Sequence, residues 1–291
     1  MRILIASLLL LVIAPVAHGR VVVVATGTAQ VQLIDTRTNA AAPIPVIAAV
    51  QAVAATPDGS RAVLATGRAV SVLDLNTRAV IGGTPLRGVP AALAVSPDGT
   101  RAYAARRNGI EVIDLATVRR TGVRALSGVP LDLAVTADRA VVVQSGGKVA
   151  VLDLGTGRLV RRLTVRGAAG VSLVRGQAWI SATEPAKKQR KPRSRLVRVN
   201  AASGAITGSV DLRTDGGGGV SVSPDGGRAI VAPGAKLRGI HRKAALVDLS
   251  TRRGSRSGRR CPRCRSAARA PAGRPACPGC PAGGSCSGAR R

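Results

Sequence analysis

The stretch LAVSPDGTRAYAARRNGIEVIDL, residues 93–115, carries the reading on which the fold depends. Leu93 to Ser96 is a short apolar run that stops at Pro97-Asp98-Gly99. Proline presets φ at the first corner of a turn, aspartate bonds the amides ahead of it, and glycine accepts positive φ. Ala102 to Ala105 is a second small-apolar run, and Ile110 to Leu115 alternates in polarity up to Asp114. Arg119 to Leu126 follows as a fourth extended stretch, closed by Gly128-Val129-Pro130. Short extended segments with turn signals between them read as an antiparallel sheet.

The same phrases recur along the chain. Aligning V/I-D-L and its variants gives Asp35, Asp74, Asp114, Asp153, Asn200 and Asp248, at spacings of 39, 40, 39, 47 and 48 residues. Each of these opens D/N-x-x-T/S, ending at Thr38, Thr77, Thr117, Thr156, Ser203 and Thr251. Upstream of the anchors stand Pro57-Asp58-Gly59, Pro97-Asp98-Gly99, the degenerate Ala137-Asp138, and Pro224-Asp225-Gly226. Four short strands at a period near 40 residues describe a propeller blade. The expectation is an all-β propeller of four-stranded blades, five fairly complete and one incomplete, in a ring that does not close.

Phrases such as Ala94-Val95-Ser96-Pro97-Asp98-Gly99-Thr100-Arg101-Ala102-Tyr103 and Val112-Ile113-Asp114-Leu115 resemble the YVTN-type β-propeller repeat of exported bacterial and archaeal proteins. The resemblance spans Val21 to Thr251. It implies the fold, but not one function, since such proteins include surface-layer, binding and lactonase-like members. A ring of about seven blades is usual among them, and this chain departs from that number.

Residues 1–19 read as a secretory signal. Arg2 gives a minimal positive region, Ile3 to Ile13 are apolar apart from Ser7, and Ala17-His18-Gly19 places small residues at the cleavage positions. That apolar run falls short of the roughly 20 residues a helical span needs. The expected location is secreted, or periplasmic and cell-envelope, with no transmembrane helix once the signal is removed.

Composition narrows the chemistry. Lys and Arg number 44 against 14 Asp and Glu, for a formal charge of +30, while Tyr103 and Trp179 are the whole aromatic set. With aromatics nearly absent no base-stacking platform is expected, and neither is specific nucleic-acid recognition. Apolar residues make up 45% of the chain, enough for a buried core. Nine of the 14 acids (Asp35, Asp58, Asp74, Asp98, Asp114, Asp138, Asp153, Asp225 and Asp248) occupy turn phrases, where they satisfy backbone amides. Glu111, Asp132, Glu184, Asp211 and Asp215 remain. Asp132, next to an innermost strand, is the one acid expected at the central channel, and one carboxylate is not an acid–base pair. His241 stands alone in a basic loop without companion ligands. No cofactor is expected. Gly216 to Gly219 precedes an apolar strand and no helix, so it reads as a link between blades and not as a phosphate loop. Trp179 and Tyr103 fall at equivalent second-strand positions and read as packing residues.

Charge is the more informative signal. Arg68, Arg106, Arg107 and Lys148 lie between second and third strands. In the last two units this connection is longer. One insertion carries Lys187, Lys188, Arg190, Lys191, Arg193, Arg195 and Arg198, and the other Lys236, Arg238, Arg242 and Lys243. In a propeller these connections share one face and the acidic turns the other, so the disc is expected to be polarised. A face of that kind concentrates polyanions, and solvated loops without a ligand are the bland alternative. The reading is a non-catalytic binding or scaffolding module whose partner is an envelope protein or an anionic polymer. A lactonase-like hydrolase is the alternative from a different class, and a non-functional frameshifted product is a third.

That third alternative comes from residues 252–291, which contain 11 Arg, 7 Gly, 7 Ala, 5 Pro, 5 Ser and 5 Cys and nothing else. All six types have G or C at the second codon base, as expected where the frame slips in a GC-rich gene. The segment reads as a disordered, out-of-frame tail. The competing reading is a zinc ribbon on Cys261, Cys264, Cys277 and Cys280. Its twelve intervening residues hold nothing to pack a knuckle, and Cys286 is left over.

Overall fold

The structure, a computed structural model, describes residues 21–184, 193–212, 217–232 and 244–250. The signal segment 1–19 and the tail 252–291 lie outside the described residues, as do all five cysteines and both histidines.

Twenty-two strands form six antiparallel sheets, each in simple sequence order. The first holds β1 (Val21–Thr28), β2 (Gln30–Asp35) and β3 (Ala41–Pro45). The second holds β4 (Val50–Ala55), β5 (Arg61–Thr66), β6 (Ala69–Asp74) and β7 (Ala79–Pro85). The third holds β8 (Pro90–Val95), β9 (Arg101–Arg106), β10 (Gly109–Asp114) and β11 (Arg119–Arg124). The fourth holds β12 (Pro130–Val135), β13 (Arg139–Gln144), β14 (Lys148–Asp153) and β15 (Leu159–Thr164). The fifth holds β16 (Ala168–Val174), β17 (Gln177–Glu184), β18 (Arg193–Asn200) and β19 (Ile206–Leu212). The sixth holds β20 (Val220–Val222), β21 (Arg228–Val231) and β22 (Ala245–Asp248). One 3-10 turn, Ser145–Gly147, is the sole helical element among the described residues.

Register aligns the sheets residue by residue. Each anchor closes the third strand opposite the first residue of the second: Arg61 faces Asp74, Arg101 faces Asp114, Arg139 faces Asp153, Gln177 faces Asn200 and Arg228 faces Asp248. Val21 faces Asp35 in the same way, so β1 is a second strand and, among the described residues, the first sheet lacks an innermost one. The sixth sheet lacks an outermost strand among the described residues. Among the described residues four blades are therefore complete and two have three strands, where the sequence reading counts five fairly complete and one incomplete.

Successive sheets pack through their innermost strands, β4 on β8, β8 on β12, β12 on β16 and β16 on β20, with β1 against β4. The core is divided accordingly into five clusters, one per pair of neighbouring sheets. Alternate residues of one strand enter different clusters. Val142 joins the cluster with the third sheet, while Val141 and Val143 join that with the fifth. A strand buried on both faces reads as a continuous apolar run, which is why Ala140 to Val143 shows no alternation. No comparable packing joins the sixth sheet to the first among the described residues.

Two bulges recur at fixed positions. Between first and second strands the register shifts at Val50/Ala52, Pro90/Ala92, Pro130/Asp132 and Ala168/Gly170. Between third and fourth strands it shifts at Val72/Leu73, Val112/Ile113, Val151/Leu152 and Arg198/Val199. A bulge increases local twist and bends the strand, so every complete blade is coiled alike.

Candidate functional site: two unlike faces

Because neighbouring strands alternate in direction, turns between first and second strands share one end of the blade with turns between third and fourth. Hairpins between second and third strands emerge at the other end, with the links from one blade to the next.

At the first end the turn acids make local hydrogen bonds. Asp74 Oδ1 accepts from the amides of Asn76 and Thr77 at 2.8 and 2.9 Å, and Asp114 Oδ1 from those of Ala116 and Thr117 at 3.1 and 2.8 Å. Asp35, Asp153, Asn200 and Asp248 accept amides in the same turn. These bonds hold the carboxyls of Asp74, Asp114 and Asp153 below the usual range.

The second kind of turn uses a residue that the sequence reading passed over. Thr56, Ser96 and Ser223, each two residues before the aspartate, donate a hydroxyl to Asp58, Asp98 and Asp225 at 2.5 Å. The same hydroxyls accept the amides of Arg61, Arg101 and Arg228 across the hairpin. Thr136 does both at Asp138 and Arg139. The Ser60 and Thr56 hydroxyls, followed by the Ser60 amide, lower the Asp58 carboxyl to about 2. The signal was present in the sequence as a hydroxyl before every Pro-Asp or Ala-Asp.

The opposite end carries Arg68, Arg107, Lys148 and Arg193, all exposed, with Arg87 and Arg166 on the links between blades. Of the ten basic residues singled out for a ligand, Lys187, Lys188, Arg190, Lys191, Lys236, Arg238, Arg242 and Lys243 lie outside the described residues. Arg193 and Arg195 are not loop residues, which corrects the expectation. They belong to β18, and β17 and β18 run eight residues each where β13 and β14 run six. Part of the insertion thus lengthens the two strands. Arg195 pairs with Glu184 at 3.1 Å. Arg198, counted with the insertion, lies farther down the strand, 5.7 Å from the Trp179 ring centroid, and donates to Thr207 Oγ1 at 3.0 Å. Trp179 and Tyr103 are buried between sheets.

Two acids outside the turns have defined roles. Glu111 has no exposed surface. It accepts from Arg106 Nε at 2.5 Å, the Arg87 amide at 2.8 Å and Arg120 Nη1 at 3.1 Å. Its carboxyl lies below the usual value: burial, the largest influence, raises it, and the bonds from Arg106, Arg87 and Arg120 outweigh that. Asp132 Oδ2 accepts the Val171 amide of the next blade at 2.8 Å, and Oδ1 its neighbour Leu133 at 2.9 Å. Burial pushes that carboxyl up against those two bonds. Asp132 is a tie between innermost strands.

Gly217 to Gly219 form a close blade-to-blade contact. Within the sixth blade Gly218 and Ala232 are joined by a backbone bond of 3.0 Å, and across the seam Ser181 Oγ of the fifth blade donates to Gly218 O at 2.5 Å. A Cβ on Gly170 would meet Gly218 O at 2.9 Å, so glycine is required on that side of the seam. Among the described residues no group of three His, Cys, Asp or Glu is arranged to hold a metal. No described helix is long and apolar enough to cross a membrane.

No protein-family model matches the chain, and no curated protein sequence does. Solved structures do. The chain is similar to "Kuenenia stuttgartiensis Hydrazine Synthase" with a TM-score of 0.68 at 19% identity, covering 80% of this chain and 74% of that one. It is similar to a chain of a "Mitotic Checkpoint Complex" structure at TM-score 0.61 and 16% identity, over 74% of this chain and 67% of that one. It is also similar to the Myceliophteria thermophila Cps50 (Swd1) β-propeller domain, at TM-score 0.62 and 14% identity over 81% of each. Six small antiparallel sheets in sequence order, and these likenesses, make the chain a β-propeller. At such identities the likeness is one of fold.

Proposed function

We propose that this propeller is an exported, non-catalytic module of the YVTN type that holds an anionic polymer at the cell envelope through its hairpin face. The observation that carries this reading is that strand direction sorts the acids: at the turn end they offset Arg37, Arg78, Arg158 and Arg175, while the hairpin end is mainly basic. The turn acids collect at one end of every blade, where their oxygens are already engaged. Arg68, Arg87, Arg107, Lys148, Arg166 and Arg193 stand at the other end. Summed over successive blades, such an arrangement attracts polyanions.

The non-catalytic part is supported by the innermost strands. Their extra bulge residues are Gln51, Ala91, Leu131 and Ala169, and Asp132 is committed to two amides. Fold alone does not decide activity, and one of the similar structures bears an enzyme's name.

Binding of inorganic polyphosphate and of neutral dextran, measured against salt, tests the reading. With four charges neutralised, affinity for polyphosphate falls roughly 50-fold between about 50 and 200 mM salt, taking the single-strand slope near −0.7 for each charge. Dextran does not bind. Polyphosphate binding that ignores salt contradicts the proposal. We further read residues 252–291 as out-of-frame translation. Translating the coding DNA in the other two forward frames after codon 251 then resumes V/I-D-L phrases. If neither frame does so and the tail binds one zinc ion, that reading fails.

A further inference from the structure

Each blade from the second to the fifth has a forward face that packs on the next blade and a backward face that packs on the one before. In the third sheet Ala102 and Ala104 point backward, at 0% exposure, while Tyr103 and Val112 point forward, at 3% and 4%. In the fourth sheet Val142 faces backward and Val141 forward, both at 0%.

The same register positions at the two ends of the array are open to solvent. Val22 and Val24 of the first sheet are 46% and 37% exposed, and pair beside Asp35 as Ala102 and Ala104 do beside Asp114. Ile230 and Leu246 of the sixth sheet face each other as Tyr103 and Val112 do, and are 54% and 62% exposed. One backward face and one forward face, both of branched aliphatic residues, thus remain unpartnered among the described residues.

We propose that these two faces form a matched pair that joins copies of this chain head to tail, the sixth sheet of one copy packing on the first sheet of the next. The occupant follows from continuity with the five interfaces already present. Each joins a forward to a backward face, at the same register positions, and a second copy carries the face that each open end lacks. Such a contact is heterologous: it propagates into chains of copies unless the rotation happens to close. A formal charge of +30 per copy opposes association, so added salt strengthens it by screening. Polyanion binding changes with salt in the opposite sense, which keeps the two proposals separable.

Sedimentation velocity on the full chain at high salt, over a wide range of protein concentration, tests the inference. The mean mass should rise with concentration and pass beyond the dimer. One variant carries Ile230→Lys and Leu246→Lys, the other Val22→Lys and Val24→Lys. All four positions are exposed, and circular dichroism confirms that each variant keeps its strand signal. Each should be monomeric alone, and an equal mixture should form a one-to-one dimer that grows no further. A wild-type chain that stays monomeric at every concentration overturns the proposal, because the faces then close within one copy or stay in water. Association that persists in either variant alone overturns it as well, since the contact then lies elsewhere.

Discussion

Replacing Glu111 with alanine removes three hydrogen bonds from a carboxylate with no exposed surface. The Arg87 amide loses its acceptor, a loss of about 1–3 kcal/mol for a fully buried donor and less for this partly buried one. Arg106 keeps 15% of its side-chain surface in water and Arg120 keeps 31%, so Arg120 can turn outward while Arg106 is left charged and largely covered. Breaking a fully buried ion pair costs about 3–5 kcal/mol, and access to solvent at both arginines lowers that figure. The expected loss is about 2–4 kcal/mol in equilibrium urea unfolding followed by far-ultraviolet circular dichroism, with Glu111→Gln losing less because it retains an acceptor. A loss below about 0.5 kcal/mol, the scale of an ordinary surface change, would refute the view that this cluster ties the link before β8 to the third blade.

Packing predicts a contrast between two leucines of one blade. Leu152 is 1% exposed and Leu159 is 47% exposed. Leu152→Ala should cost about 2–5 kcal/mol and Leu159→Ala about 0.5 or less, and equal effects in urea titrations would contradict the assigned faces. The turn aspartates predict acid sensitivity. The folded-state pKa values of Asp58, Asp74, Asp98, Asp114, Asp153 and Asp225 are lowered, that of Asp58 from 3.8 to about 2, so the stability they contribute is present above pH 4 and lost as pH falls toward 2. The melting temperature should drop across that window and drop less in Asp58→Asn, whereas a flat profile in the parent would show that the bonds contribute nothing.

The period, the blade, its turns and the two unlike ends were legible because they rest on residue types that few positions accept. Pro-Asp-Gly and D-x-x-T/S are chemical requirements of a reversing chain and survive as letters. The bulges were not legible, since Gln51, Ala91, Leu131 and Ala169 have nothing in common but their place. Any residue fits a position whose side chain has no neighbour to match. Glu111 looked like the polar half of an alternating strand, and only the tertiary approach of Arg106 and Arg120 makes it a buried ion cluster. Arg193, Arg195 and Arg198 lie on β18 although the sequence reading places them in an insertion, because the extra length alone cannot be divided between longer strands and a longer turn.

The central claim is that the two ends of the blades differ in what they attract, and equal charge changes at the two ends test it. One variant carries Arg107→Glu, Lys148→Glu, Arg166→Glu and Arg193→Glu at the hairpin end. The other carries Arg37→Glu, Arg78→Glu, Arg158→Glu and Arg175→Glu at the turn end. All eight residues are exposed and both variants lose the same net charge. Titrated with inorganic polyphosphate at low salt, the hairpin-end variant should lose most of its affinity and the turn-end variant little. Equal losses would mean that total charge, and not the sorted face, does the binding, and would contradict the account.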